Sequence, residues 1–119
     1  MSTILEEKPA DLSLIRTILS ELRQMLKLMY GKNAPRVLLY GSYARGDANA
    51  SSDIDLLLIY QEKILPGEEI RRVGGLLAEL NLRYQVLISV LPTNEDRYRN
   101  DPGIFWQNVR RESKTIRAI

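Results

Sequence analysis

Between residues 36 and 60 the chain reads RVLLY, then Gly41-Ser42, then ten small or polar residues, then Asp53-Ile-Asp55 running into LLLIY. Apolar runs this short, bounded by glycine and small polar residues, suit buried strands better than helices. Two strands are therefore predicted, at 36–40 and from about Asp53 to Tyr60, with a Gly-Ser turn closing the first. Two carboxylates stand at the mouth of the second, where a buried strand gains nothing from charge.

The rest of the chain supplies elements to cover those strands. Ile15, Ile18, Leu19, Leu22, Met25, Leu26 and Met29 follow the i, i+3, i+4, i+7 rhythm of an amphipathic helix. Asp11 or Ser13 is its expected cap and Gly31 its stop. After Gly41-Ser42, YARGDANASS has room for a turn or two of helix before it becomes loop. A second long helix is predicted over about 68–82, with Ile70, Val73, Leu77 and Leu80 on one face. Gly74-Gly75 in its middle suggests close packing against the sheet. YQVLISVL (84–91) reads as a third strand stopped by Pro92, and Thr93 with Asp96 resembles a helix-capping pattern. GIFWQNVRRES suggests a last short helix and KTIRAI a final edge strand, after a polar lead-in over 1–10. The order α-β-β-α-β-α implies an α+β, or α/β layer, fold: a small mixed sheet with helices on one side. A length of 119 residues fits one domain spanning 1–119.

Composition narrows the chemistry. There is no cysteine and no histidine, so disulfides, thiolate zinc sites, cysteine nucleophiles, histidine bases and Ser-His-Asp triads are all excluded. Catalysis has to use carboxylates, hydroxyls, Lys, Arg, backbone amides or a hard metal ion. A net charge of +2 is ordinary for a soluble domain and does not itself point to nucleic acid. No apolar run reaches membrane-spanning length and the first residues lack the pattern of a signal peptide, so a cytoplasmic protein without a membrane partner is expected.

Asp53 and Asp55 stand two apart on a strand, and their side chains leave the same face. Paired carboxylates repel unless a cation lies between them, and Mg²⁺ or Mn²⁺ prefers oxygen ligands. Alone, an Asp-x-Asp is more commonly a solvated turn. A strand, then Gly-Ser, then a short helix aims backbone N–H groups at an anion. Gly41 permits close approach of backbone to ligand, Ser42 adds a hydroxyl, and Arg45 can reach a phosphate or Asp47. If the two strands are neighbours, both features converge on one cleft suited to a nucleoside triphosphate with its metal.

The stretch GSYARGDANASSDID resembles the signature of the polymerase-β-like nucleotidyltransferases: Gly-Ser, ten residues, Asp-x-Asp. The short chain is similar to the minimal nucleotidyltransferase branch, whose members commonly act as antitoxins beside HEPN-domain toxins. The likeness spans about 12–112. It implies ATP as substrate, Gly41 and Ser42 at the triphosphate, Asp53 and Asp55 on Mg²⁺ or Mn²⁺, and transfer of AMP to an acceptor hydroxyl. It further implies a HEPN-domain partner as acceptor, with a tyrosine hydroxyl as one candidate group; a small-molecule acceptor such as an aminoglycoside is the weaker alternative. The family often has a third carboxylate on the strand after the long helix, where this chain offers Gln85, Leu87 and Ser89. The alternative reading is therefore a catalytically weak or inactive module that neutralises its partner by contact.

Two late features have plainer readings. Arg110, Arg111, Lys114 and Arg117 suit a solvated helix face, and Phe105 with Trp106 suits core or interface packing. Direct nucleic-acid binding is not expected, and homo- or hetero-oligomers are both compatible with the sequence.

Overall fold

The computed structural model describes residues 8–114. Most of the polar lead-in, Arg117 and the expected last strand beyond Lys114 lie outside the described residues. The elements are α1 (Leu12–Tyr30) with a 3₁₀ turn at Gly31–Asn33, β1 (Arg36–Tyr40), α2 (Ser42–Arg45), β2 (Ile54–Tyr60), α3 (Pro66–Tyr84), β3 (Ile88–Asn94), α4 (Glu95–Asn100) and α5 (Ile104–Glu112). The sheet order is β1-β2-β3. β1 runs antiparallel to β2 and β3 runs parallel to it, giving the mixed sheet that was expected.

Alternation along the central strand decides which helix goes where. Ile54, Leu56, Leu58 and Tyr60 join Val37 and Leu39 in one buried cluster with Ile15, Ile18, Leu19, Leu22 and Leu26 of α1 and Val73, Leu77 and Leu80 of α3. Both long helices thus share one face. Leu57 and Ile59 point the other way, where Leu38, Trp106 and Val109 form a second cluster, so α5 covers part of the opposite face. Asp55 is in phase with Leu57 and Ile59. It therefore projects from the face that α5 covers, not from the one under α1 and α3.

Local chemistry sets the helix ends. Asp11 caps α1, its Oδ1 accepting from the Leu14 N–H at 2.8 Å. α3 has Pro66 in its first turn, where its missing N–H has no intrahelical partner to lose, and ends at Gln85 in a left-handed conformation (φ 53°). Asn94, not Thr93, caps α4: Asn94 Oδ1 accepts from Arg97 N–H at 2.8 Å. Thr93 is instead buried on β3.

Three further expectations are corrected. The third strand begins at Ile88 because α3 continues to Tyr84, and it runs through Pro92 to Asn94. Its proline is tolerated because β3 is an edge strand. Leu87 gives its carbonyl to Ile54 N–H of β2, while Ile88 turns its N–H away to Asn81 Oδ1. By strand alternation the position of Pro92 also faces away from β2 and costs no ladder bond. On α3, Ile70 is 46% exposed and Glu69, at 4%, takes the inward position. Glu69 is held there by a hydrogen bond from Tyr30 Oη (2.6 Å) and an ion pair with Arg72 (3.3 Å). Gly74 and Gly75 do not mark close packing, because a Cβ at either would meet nothing within 4 Å.

Phe105 is half exposed, while Trp106 is buried. Arg110 donates to Tyr98 O at 2.9 Å and Arg111 to Asn108 Oδ1 at 2.6 Å, consistent with a solvated or locally bonded basic face. Lys114 exchanges two backbone hydrogen bonds with Leu39, each 2.8 Å, at the outer edge of β1. No helix among the described residues is long and apolar enough to cross a membrane.

Candidate active site

The antiparallel register pairs Tyr40, the last residue of β1, with Asp55. Gly41 comes next and has φ 77°, a conformation open to glycine and costly for residues with a side chain. A Cβ at Gly41 would collide with Asp55 Oδ2 and lie 3.1 Å from its Cγ. The Asp55 carboxylate therefore rests against the Gly41 backbone. The Gly-Ser turn and the Asp-x-Asp, ten residues apart in sequence, meet in space.

The connection between them is built from short hydrogen bonds. Gly41 O accepts from the Ala44 and Arg45 N–H groups at 3.1 and 3.0 Å, which winds α2. Gly46, at φ 88°, ends it in the left-handed region. Asn49 then accepts from Ser51 N–H through Oδ1 (2.8 Å), and Ser52 Oγ accepts from Asn49 N–H (2.9 Å). These side chains stand in for a regular ladder and deliver Asp53 to the start of β2.

Charge is concentrated at this end of the sheet. Burial, then the neighbouring charge of Asp53, holds the Asp55 carboxyl above its ordinary range, with Arg45 pulling the other way. Burial and the Asp55 charge push the Tyr40 hydroxyl up to about 12, so Tyr40 is neutral at physiological pH. Arg45 bonds Asp47 Oδ2 at 3.3 Å, as one of its two expected partners, and Glu112 Oε1 of α5 at 3.1 Å.

β3 supplies the third side. Ser89 pairs with Asp55 in the parallel register, and the Leu87 carbonyl meets Ile54. Gln85 has left the strand altogether as the cap of α3. No carboxylate flanks Asp53 and Asp55 from β3, and no cluster of three potential metal-ligating side chains occurs among the described residues. A cleft of about 390 Å³ opens beside Asp53, between Tyr43, Ser51, Ser52, Gln85 and Leu87.

Two carboxylates still suit Mg²⁺, which is commonly held by one or two acids with substrate phosphates and water completing its shell. Burial first, and repulsion from Asp53 second, raise the Asp55 carboxyl, and a divalent cation between the acids would offset both. The residues present fit such an ion.

Gly41, Ser42, Asp53 and Asp55 thus gather at one end of the sheet, and Arg45 lies beside them, bonded to acids. Sequence reasoning missed Tyr40, Glu112 and the cleft wall at Tyr43. The strand alternation could have flagged Tyr40, but nothing in the sequence signals Glu112, 67 residues from its partner.

Comparison with known proteins identifies the family. Residues 21–116 match the family described as Polymerase beta, Nucleotidyltransferase. Among curated relatives are candidate protein adenylyltransferases of Methanocaldococcus jannaschii. One is 33% identical over 73 residues, covering 60% of this chain and 72% of the relative. Another is 29% identical over 99 residues, covering 82% and 93%. A third, 38% identical over 82 residues (66% of this chain), is longer, and the match spans only 54% of it. In fold the chain is similar to a toxin–antitoxin crystal structure with AMP-PNP (TM-score 0.56, 17% identity, 87% of this chain and 73% of that one). It is equally similar to a nucleotidyltransferase-type structure from Sulfolobus solfataricus (TM-score 0.56, 16% identity, 76% and 81%). With the Gly-Ser turn against the Asp-x-Asp on a three-stranded mixed sheet, and a family match over most of its length, the chain belongs to the polymerase beta nucleotidyltransferase family.

Proposed function

We propose that this protein transfers AMP from ATP to a hydroxyl of a partner protein, a HEPN-domain toxin, and so acts as its antitoxin. The observation that carries the reading is the contact between the Gly41 backbone and the Asp55 carboxylate, which brings a phosphate-type turn to a metal-type acid pair. The adenylyltransferase relatives and the AMP-PNP-containing toxin–antitoxin neighbour motivate the choice of ATP and of a protein partner.

In this reading the Gly41 backbone and the Ser42 hydroxyl orient the β- and γ-phosphates, and Arg45 adds positive charge beside them. Asp53 and Asp55 would hold Mg²⁺ or Mn²⁺, which when bound neutralises phosphate charge and the departing oxygen. The acceptor oxygen attacks the α-phosphorus and forms a new P–O bond. The P–O bond to the bridging oxygen breaks and pyrophosphate leaves. With Leu87 and Ser89 at the third-acid positions, the acceptor's proton goes to a base on the partner or to solvent. Use of ATP as substrate is in keeping with the cytoplasmic location expected from the sequence.

Intact-mass spectrometry of a co-expressed HEPN partner tests this. An AMP-sized increase that requires both Asp53 and Asp55 is expected. The second reading, neutralisation by contact alone, is favoured by the same Leu87 and Ser89. It predicts an unmodified partner that is neutralised equally well by wild type and by Asp53→Asn/Asp55→Asn.

A further inference from the structure

Resting on the nucleotidyltransferase reading above, we infer that Glu112, at the end of α5, is a positioning residue that holds Arg45 at the triphosphate. Arg45 is the last residue of α2 and has two acidic partners, Asp47 on its own loop and Glu112 across the sheet edge. The Asp47 side chain is 62% exposed, whereas that of Glu112 is 19% exposed. An exposed partner on a loop restrains an arginine weakly; a half-buried one on a packed helix restrains it more.

The end of α5 is well fixed. Trp106 and Val109 are buried against Leu38, Leu57 and Ile59. Just past Glu112, Ser113 Oγ bonds Tyr98 Oη at 2.8 Å, and Lys114 is stitched to Leu39. Leu39 lies two residues before Gly41, and Lys114 lies two residues after Glu112, so the bridge sets Glu112 beside the Gly-Ser turn. α5 also covers the sheet face from which Asp55 projects. Held between Asp47 and Glu112, the Arg45 guanidinium stays within electrostatic reach of the Asp55 carboxylate.

Glu112 is not itself a metal ligand in this arrangement. Its part is to fix the direction of a flexible cation so that less freedom is lost when the triphosphate arrives. That gives α5 a direct mechanical link to the nucleotide site.

The test is a double-mutant cycle on ATP affinity in the presence of Mg²⁺, using wild type, Arg45→Ala, Glu112→Gln and the double variant, with thermal melts as a check on folding. Glu112→Gln is expected to weaken ATP binding roughly tenfold, the low end of losses seen when a group that orients a ligand-holding side chain is removed. In the Arg45→Ala background the same substitution should change nothing. During AMP transfer the loss should fall on KM for ATP with kcat little altered. If Glu112→Gln is too unstable to measure, Glu112→Asp keeps the charge, shortens its reach and should weaken ATP in the same Arg45-dependent way. Equal losses in both backgrounds, or no loss in either, would overturn the positioning role while leaving the enzyme reading intact. The same holds if Arg45→Ala binds ATP as wild type does. Wild-type protein that fails to bind ATP at all would overturn both.

Discussion

Gly41 and Asp55 touch across the β1–β2 pair in a way that only a residue without a side chain at position 41 permits. The contact fixes where the acid sits relative to the turn, and it makes the two positions energetically inseparable. Gly41→Ala should destabilise the protein by about 1–3 kcal/mol, from positive φ and from the clash. In an Asp55→Ala background the clash with the carboxylate disappears, leaving the backbone cost and a tight contact with the Cβ of residue 55 at 3.2 Å, so the two substitutions should be non-additive. Urea denaturation of the four proteins measures this; strict additivity would contradict the contact.

Ionisation of Asp55 should be unfavourable in the metal-free fold. Its folded carboxyl titrates above the unfolded value, so the native state binds the extra proton. Stability from this group is then present at low pH and lost as pH rises from the ordinary carboxylate range, near about 4, through the raised value. Asp55→Asn should flatten that loss and melt higher than wild type at neutral pH without divalent ions. Melting curves across this pH window check the sign.

Mg²⁺ together with ATP should reverse the disadvantage. A ligand that binds only the folded state, at a hundred times its Kd, stabilises by about 2.7 kcal/mol. Wild type should show a shift of this order in a thermal-shift titration. Asp53→Asn/Asp55→Asn should show none.

Ser89 marks the place where an acid is lacking, since it pairs directly with Asp55. Ser89→Asp should lower the metal-free melting temperature by adding a third negative charge, and should tighten Mn²⁺ binding measured by calorimetry. A variant that melts lower without tighter Mn²⁺ binding would show that position 89 does not reach the ion.

Gly74 and Gly75 are open positions on α3, with nothing for a methyl group to strike. Each Gly→Ala change should stabilise the fold by about 0.5–1 kcal/mol through helix propensity and a less free unfolded chain. A loss measured by denaturation would mean that the pair serves a contact made with another molecule.

Much of this was readable in the sequence, and the misses have physical causes. RVLLY and the run ending at Tyr60 were legible as strands because they are apolar, short and bounded by turn residues. Gly41, Ser42, Asp53 and Asp55 stood out through spacing alone. The third strand was misplaced because Pro92 looks like a stop until one knows that it lies on an edge and faces outward. Ile70 fits the apolar periodicity of α3, which cannot foresee that Tyr30 and Arg72 satisfy a buried carboxylate at Glu69. The pairing of Arg45 with Glu112 depends on tertiary packing of α5 and leaves no local trace.

Both borders of the sheet are guarded against unwanted neighbours. On the β1 side Lys114 occupies the backbone groups of Leu39, and on the β3 side Pro92 leaves a gap where an incoming strand would seek a donor. Chains crowded together during synthesis thus find poor templates for runaway sheet growth. Addition of a further strand at either border is disfavoured for the same reason.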